Sequence, residues 1–246
     1  MNWSDARLET CHDYIQIVFP LPESSGYNYG VPLIDRTVME AFRSRPKLRS
    51  KLRMALVRQL QFYGFKVELA ESTDAPLENV AESSTTSDPV LTTNDATIQT
   101  TAAPSGSIIS GFNVVRGPQW VNKSRNWCVR FDHNHLRITR ILRCLRILGL
   151  QEECEAFFSA LQDVYDATDN KINERSMGYW RKAFSAPLYR TPDGELVNWL
   201  RTWETEEKAK AKAEKEKEKE QKAKEGSSED APASKKVKFD TIKHGD

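Results

Sequence analysis

Residues 133–148, His133-Asn-His-Leu-Arg-Ile-Thr-Arg-Ile-Leu-Arg-Cys-Leu-Arg-Ile-Leu148, decide the fold class. Ile138, Ile141, Leu142, Leu145 and Leu148 recur at helical spacing and cover about one third of the circumference. Asp132 stands where an N-cap carboxylate is wanted, and Gly149 where left-handed backbone ends a helix. Arg137, Arg140, Arg143 and Arg146 fall on the other side, so the segment reads as an amphipathic helix with a basic face.

The same periodicity extends upstream. Ser4 caps a helix whose Leu8, Cys11, Ile15 and Val18 form an apolar stripe, beside a polar stripe of Asp5, Glu9, His12, Asp13 and Gln16. Pro20 and Pro22 end it, and the loop from Pro22 to Pro32 is expected to be ordered by Tyr27 and Tyr29. Asp35 predicts a cap for a short helix over 36–43. Pro46 opens the next, which carries Leu52, Leu56, Leu60 and Tyr63 and stops at Gly64. Downstream, helices are expected over 152–166 and 174–184. Pro192-Asp193-Gly194 makes a turn, and a further helix starts at Glu195. No segment reads as a strand.

Composition divides the 246 residues into packed and unpacked parts. The hydrophobic fraction is 39% and the mean hydropathy −0.63, below a typical globular chain. Residues 71–111 hold no Phe, Trp or Tyr, and 15 of the 41 are Ser or Thr. Such a segment cannot bury enough apolar surface to offset its ordering entropy and is expected to be disordered. The expected fold is therefore one compact all-α domain of about six helices, built from 1–70 and 112–203. A Lys/Glu-rich helix over 204–225 and a disordered tail over 226–246 follow it.

Several classes fall away. No run of 18 apolar residues exists, so no helix is expected to span a membrane. The N-terminus lacks the pattern of a signal peptide, and Cys11, Cys128, Cys144 and Cys154 are scattered, so reduced intracellular thiols are expected. No G-x-G-x-x-G, P-loop or G-x-S-x-G occurs, and no cofactor is expected.

Two stretches carry a family resemblance: His12-Asp-Tyr-Ile-Gln-Ile-Val-Phe-Pro20 and His133-Asn-His-Leu-Arg-Ile-Thr-Arg-Ile-Leu142. With Phe62-Tyr63-Gly64, Asn28 and Pro32, they resemble the signature segments of the opioid growth factor receptor conserved-domain family. The resemblance covers roughly 1–70 and 112–186 and implies an all-helical, non-enzymatic, nuclear receptor-like domain. In vertebrate members it implies binding of [Met]-enkephalin and restraint of proliferation. The low-complexity insert and a tail without imperfect repeats depart from that pattern, so weak or absent enkephalin binding is expected here. The resemblance also implies a nuclear location, including the nuclear envelope, with a cytoplasmic pool.

His12, Asp13, Gln16, His133, His135, Arg137 and Arg140 form the candidate site. One reading is a polar ligand or partner site, with Arg137 and Arg140 clamping a carboxylate or phosphate. The other is structural: the arginines bridge Glu9 or Asp13 and the histidines satisfy buried groups. No metal is expected, because the two histidines of His-x-His diverge by about 200° on a helix.

Residues 36–66 carry a local charge of +8 and residues 112–150 carry +7. That asymmetry opens an alternative, a nucleic-acid or protein-interaction module using the basic helices. In the tail, Pro232-Ala-Ser-Lys-Lys-Val-Lys-Phe-Asp240 resembles a monopartite nuclear localisation signal. Lys235, Lys236 and Lys238 would engage a nuclear import receptor. The same three charges make only a weak peripheral membrane anchor, at about 1 kcal/mol each.

Overall fold

The computed structural model describes residues 3–24, 30–69 and 111–226. The expected disorder at 71–111, apart from Gly111, and the nuclear signal at Lys235, Lys236 and Lys238 lie outside these residues, as do Tyr27 and Tyr29.

Caps and prolines place the helices largely where the sequence puts them. The Ser4 side chain accepts from the backbone of Arg7 at the start of α1 (Asp5–Thr10), and α2 (Tyr14–Val18) follows after a break. The Asp35 carboxylate caps α3 (Arg36–Ser44), and Pro46 opens α4 (Pro46–Tyr63). Gly64, at φ 95°, closes α4 in left-handed backbone. Asp132 caps α6 (His133–Ile147), and Asn173 caps α8 (Glu174–Ser185). A short α5 (Trp120–Lys123) runs into a single 3-10 turn, and α7 (Gln151–Asp166) packs against both α6 and α8, which also pack on each other.

The sequence reading expected no strand, yet two form. β1 (Phe65–Leu69) and β2 (Phe112–Arg116) pair antiparallel, from Phe65 against Arg116 to Leu69 against Phe112. Phe65-Lys-Val-Glu-Leu69 alternates apolar and charged residues, the strand period. It follows a helix by one residue and is only five residues long, which hid the signal. The pair rests on α4 and α7, with the Phe65 ring against those of Trp120, Trp127 and Phe157.

The upstream helix expected as one piece is two, interrupted at Cys11–Asp13, where Cys11 is extended. The helix expected from Glu195 begins later, as α9 (Asn198–Gly226), after Arg190 bridges to Leu196. Leu200 and Trp203 fix its first turns in the core, and from Lys208 to Glu220 the side chains are solvent-exposed.

The core is wrapped around α6. Ile138, Ile141, Leu142, Leu145 and Ile147 are fully buried, and so are Trp127, Trp180, Tyr63 and Phe157 around them. The basic side of α6 is buried as well: Arg137 and Arg143 keep only 5% and 2% of their surface exposed. The basic face read from the sequence thus lies largely inside the molecule.

Candidate functional site

What the α6 arginines do follows from helix ends. The last carbonyls of a helix have no partner within it, and cations are favoured there. Arg137 reaches the end of α1, donating to the carbonyls of Leu8 (2.9 Å), Glu9 (3.3 Å) and Cys11 (3.1 Å). Arg140 donates to the Phe19 carbonyl past α2 (2.9 Å), and Arg146 to Ala183 and Ala186 at the end of α8 (2.9 and 2.8 Å). Arg143 grips the Glu23 carboxylate at 2.5 and 3.1 Å and the Arg190 carbonyl at 3.1 Å. Burial pulls the Arg140 and Arg146 guanidiniums below the ordinary arginine value.

The scheme repeats across the molecule. Arg43 donates to Arg146 and Ile147 at the end of α6, and Arg49 to Phe42 and Arg43 at the end of α3. Lys123 takes the Gln61 carbonyl at the end of α4, and the Trp127 indole that of Tyr63. The C-terminal ends of α1, α2, α3, α4, α6 and α8 are closed by cations and donors from other elements.

Of the candidate residues, His12, His133 and Arg137 come together. The two imidazole rings meet edge to face at 5.4 Å. Arg137 lies 3.3 Å from His12 Nδ1, where a neutral imidazole accepts. His133 Nε2 is 3.2 Å from Glu9 Oε1 but poorly aligned for a hydrogen bond. The bridge expected from Arg137 or Arg140 to Glu9 or Asp13 is not formed among the described residues: Arg137 closes carbonyls of α1 and Arg140 that of Phe19.

His135 leaves this group. It points to the far side of α6, with Nε2 2.8 Å from the Trp127 carbonyl and Nδ1 2.8 Å from Ser176 Oγ. Burial, against the Trp127 hydrogen bond, holds its pKa below the usual 6.5. The divergence expected of His-x-His on a helix is thus observed. Among the described residues no three His, Cys, Asp or Glu side chains converge as metal ligands. Burial raises the Cys128 and Cys154 thiols to about 12 and pushes Cys144 up as well.

Gln16 is buried, whereas Asp13 is exposed and faces a different feature. Between α1–α2 and α4 runs an open, mainly apolar groove of about 550 Å³. Tyr14, Val18 and Ala55 line it, Ile17 and Met54 stand 60% exposed on it, and Asp13 and Lys51 supply its charge. Trp3 closes one side, its ring 5.5 Å from Tyr14 and covered by the Arg7 guanidinium at 4.1 Å. Sequence reasoning missed this groove. Its signal was Ile17 and Met54, apolar residues lying off the buried stripes of their helices.

Comparison with known proteins finds sequence relatives over this domain. The model of the opioid growth factor receptor (OGFr) conserved region matches residues 2–82 and 109–210. The rat opioid growth factor receptor is 30% identical over 158 residues, covering 61% of this chain and 19% of the receptor. The human receptor is 29% identical over 158 residues, covering 61% and 16%, and the mouse receptor 30% over 152 residues, covering 61% and 18%. The match thus takes in under a fifth of the length of these curated relatives. No solved structure matches the chain.

Proposed function

The chain belongs to the opioid growth factor receptor conserved-region family, and on that premise we propose that it is a receptor-like binding protein for a peptide or protein ligand. It works in the nucleus and without catalysis. The observation that carries this reading is the division of labour around 11–19. The signature cations are committed to closing the chain's own helix ends, while the apolar groove beside Asp13 is open to solvent. Both ring nitrogens of His135 are engaged and burial keeps three cysteines as thiols, which argues against a nucleophile or base at these positions. Nuclear import would run through Lys235, Lys236 and Lys238 binding an import receptor as an extended chain.

The nucleic-acid alternative has less support. Of the cations in residues 36–66, Arg36, Arg43, Arg49, Arg53, Arg58 and Lys66 all have internal partners. Arg45, Lys47 and Lys51 have none among the described residues.

One sample tests the reading. The pure full-length chain is titrated with [Met]-enkephalin by calorimetry, and the peptide is then recovered for mass spectrometry. Saturable one-to-one heat with intact peptide supports a peptide receptor. Absence of heat to millimolar peptide removes the opioid ligand, and cleaved peptide overturns the non-catalytic reading.

A further inference from the structure

We propose that the groove between α2 and α4 is the docking site for an acidic amphipathic helix of a partner protein. The inference rests on the reading of this chain as a binding protein and names the chemistry of what it binds.

The apolar part of the argument is geometric. Ile17 and Met54 rise from the two walls, each 60% exposed, over a floor of Tyr14, Val18 and Ala55. Apolar residues on facing helices with an open seam between them form the seat into which a third helix packs ridges into grooves. The opening of about 550 Å³ falls within the range of ligand-binding clefts.

Charge selects the occupant. Lys47, Lys51 and Met54 share one face of α4, at i, i+4 and i+7, and this face runs about 10 Å along the groove. Neither lysine has a partner among the described residues, although the arginines of α4 (Arg49, Arg53 and Arg58) all do. On the other side Arg7 lies over Trp3 with no carboxylate paired to it among the described residues. Within the groove Asp13 balances Lys51, and the excess of positive charge comes from its flanks, Lys47 one turn before Lys51 and Arg7 over Trp3. An apolar seat rimmed by uncompensated cations favours a segment with apolar residues on one face and carboxylates beside them. A basic amphipathic helix would meet repulsion on both rims.

The test uses fluorescence anisotropy on the full-length chain with two labelled synthetic helices of about 16 residues. Both carry the same leucine stripe, one with glutamate and one with lysine on the remaining positions. The glutamate helix is expected to bind saturably and the lysine helix at least about tenfold more weakly. Ile17→Asp and Met54→Asp each should lower affinity for the glutamate helix about tenfold. Lys47→Glu with Lys51→Glu should weaken the glutamate helix and strengthen the lysine helix. All four positions are exposed, and unchanged circular dichroism confirms that the variants fold. Equal affinity for both helices, no saturable signal, or full affinity in Ile17→Asp and Met54→Asp would overturn the proposal. The outcome is separable from the enkephalin titration, which reads peptide binding anywhere on the chain. Glutamate-helix binding at the groove without enkephalin heat sustains this proposal and removes the opioid ligand. Enkephalin heat with neither helix bound does the reverse.

Discussion

The segment from Cys11 to Phe19 has one side toward α6 and another toward α4, and the two are built on opposite plans. Toward α6, the Cys11 and Phe19 carbonyls are tied down by Arg137 and Arg140, and His12 meets His133. Toward α4, Ile17 and Asp13 look into solvent beside Lys51, which has no partner among the described residues. Arg137, Arg140, His12 and His133 of the two signature stretches lie on the closed side, while Asp13, Tyr14, Ile17 and Val18 of the same stretches line the groove. A guanidinium satisfying several buried carbonyls cannot be exchanged for lysine or glutamine without leaving some of them unpaired. An open groove imposes no such constraint on the chain's own stability. The signature stretches therefore carry both the residues that lock the domain and residues that line the open groove.

The comparison breaks most directly at Arg137. Arg137→Ala should cost on the order of 3 kcal/mol or more, since it strips charge-assisted bonds from three carbonyls at a buried helix end. Urea denaturation measures it. A change within noise, together with lost ligand binding, would turn the closed side into the functional one.

A second signature position sharpens the same point at lower cost. Gly64→Ala forces a β-carbon onto backbone at φ +95°, 3.1 Å from the Lys123 β-carbon and 3.3 Å from the Trp120 α-carbon. A loss of about 1–2 kcal/mol is expected, read as a fall in thermal midpoint with affinity for the glutamate helix unchanged.

The smallest effect is a pH slope. Burial lowers the His135 pKa in the folded state, so below about 6.5 the unfolded chain binds the proton more readily. His135 thus contributes stability that is complete above pH 6.5 and is lost as pH falls through its folded value. Asp5 acts in a lower window. Desolvation would raise its pKa, but hydrogen bonds from Lys123 and Arg58 outweigh it and leave the value below 3.8. The stability Asp5 contributes is lost only as pH falls through that lower value. Denaturation midpoints between pH 7.5 and 5 should decline in the native chain and flatten in His135→Gln. A slope that His135→Gln leaves intact would assign it to another group.

Much of the fold was legible. Asp35, Pro46, Gly64 and Asp132 each mark a boundary by a local rule that tertiary structure does not override. The fate of the α6 arginines was not, because periodicity assigns cations to solvent by default. A geometric hint existed: at 100° per residue, positions 137, 140, 143 and 146 spread over about 180°, too wide for one solvated stripe opposite an apolar one. Which carbonyls they reach depends on segments from 37 to 129 positions away, and local pattern carries no such information. Asp13 shows the converse. It sits in the signature stretch yet belongs to the open groove, which only the placement of α4 reveals.

The arginine closures also order events in time. Arg137 holds Leu8, 129 positions earlier, and Arg140 and Arg143 hold Phe19 and Glu23, 121 and 120 positions earlier. During synthesis the first two helices emerge long before the helix that seats them. At about 5–20 residues per second, they wait on the order of ten seconds for their partners. Ile15, Phe19 and Leu21, buried in the finished molecule, are exposed through that interval. The amino-terminal segment is thus a part of the nascent chain with need of a chaperone until α6 emerges.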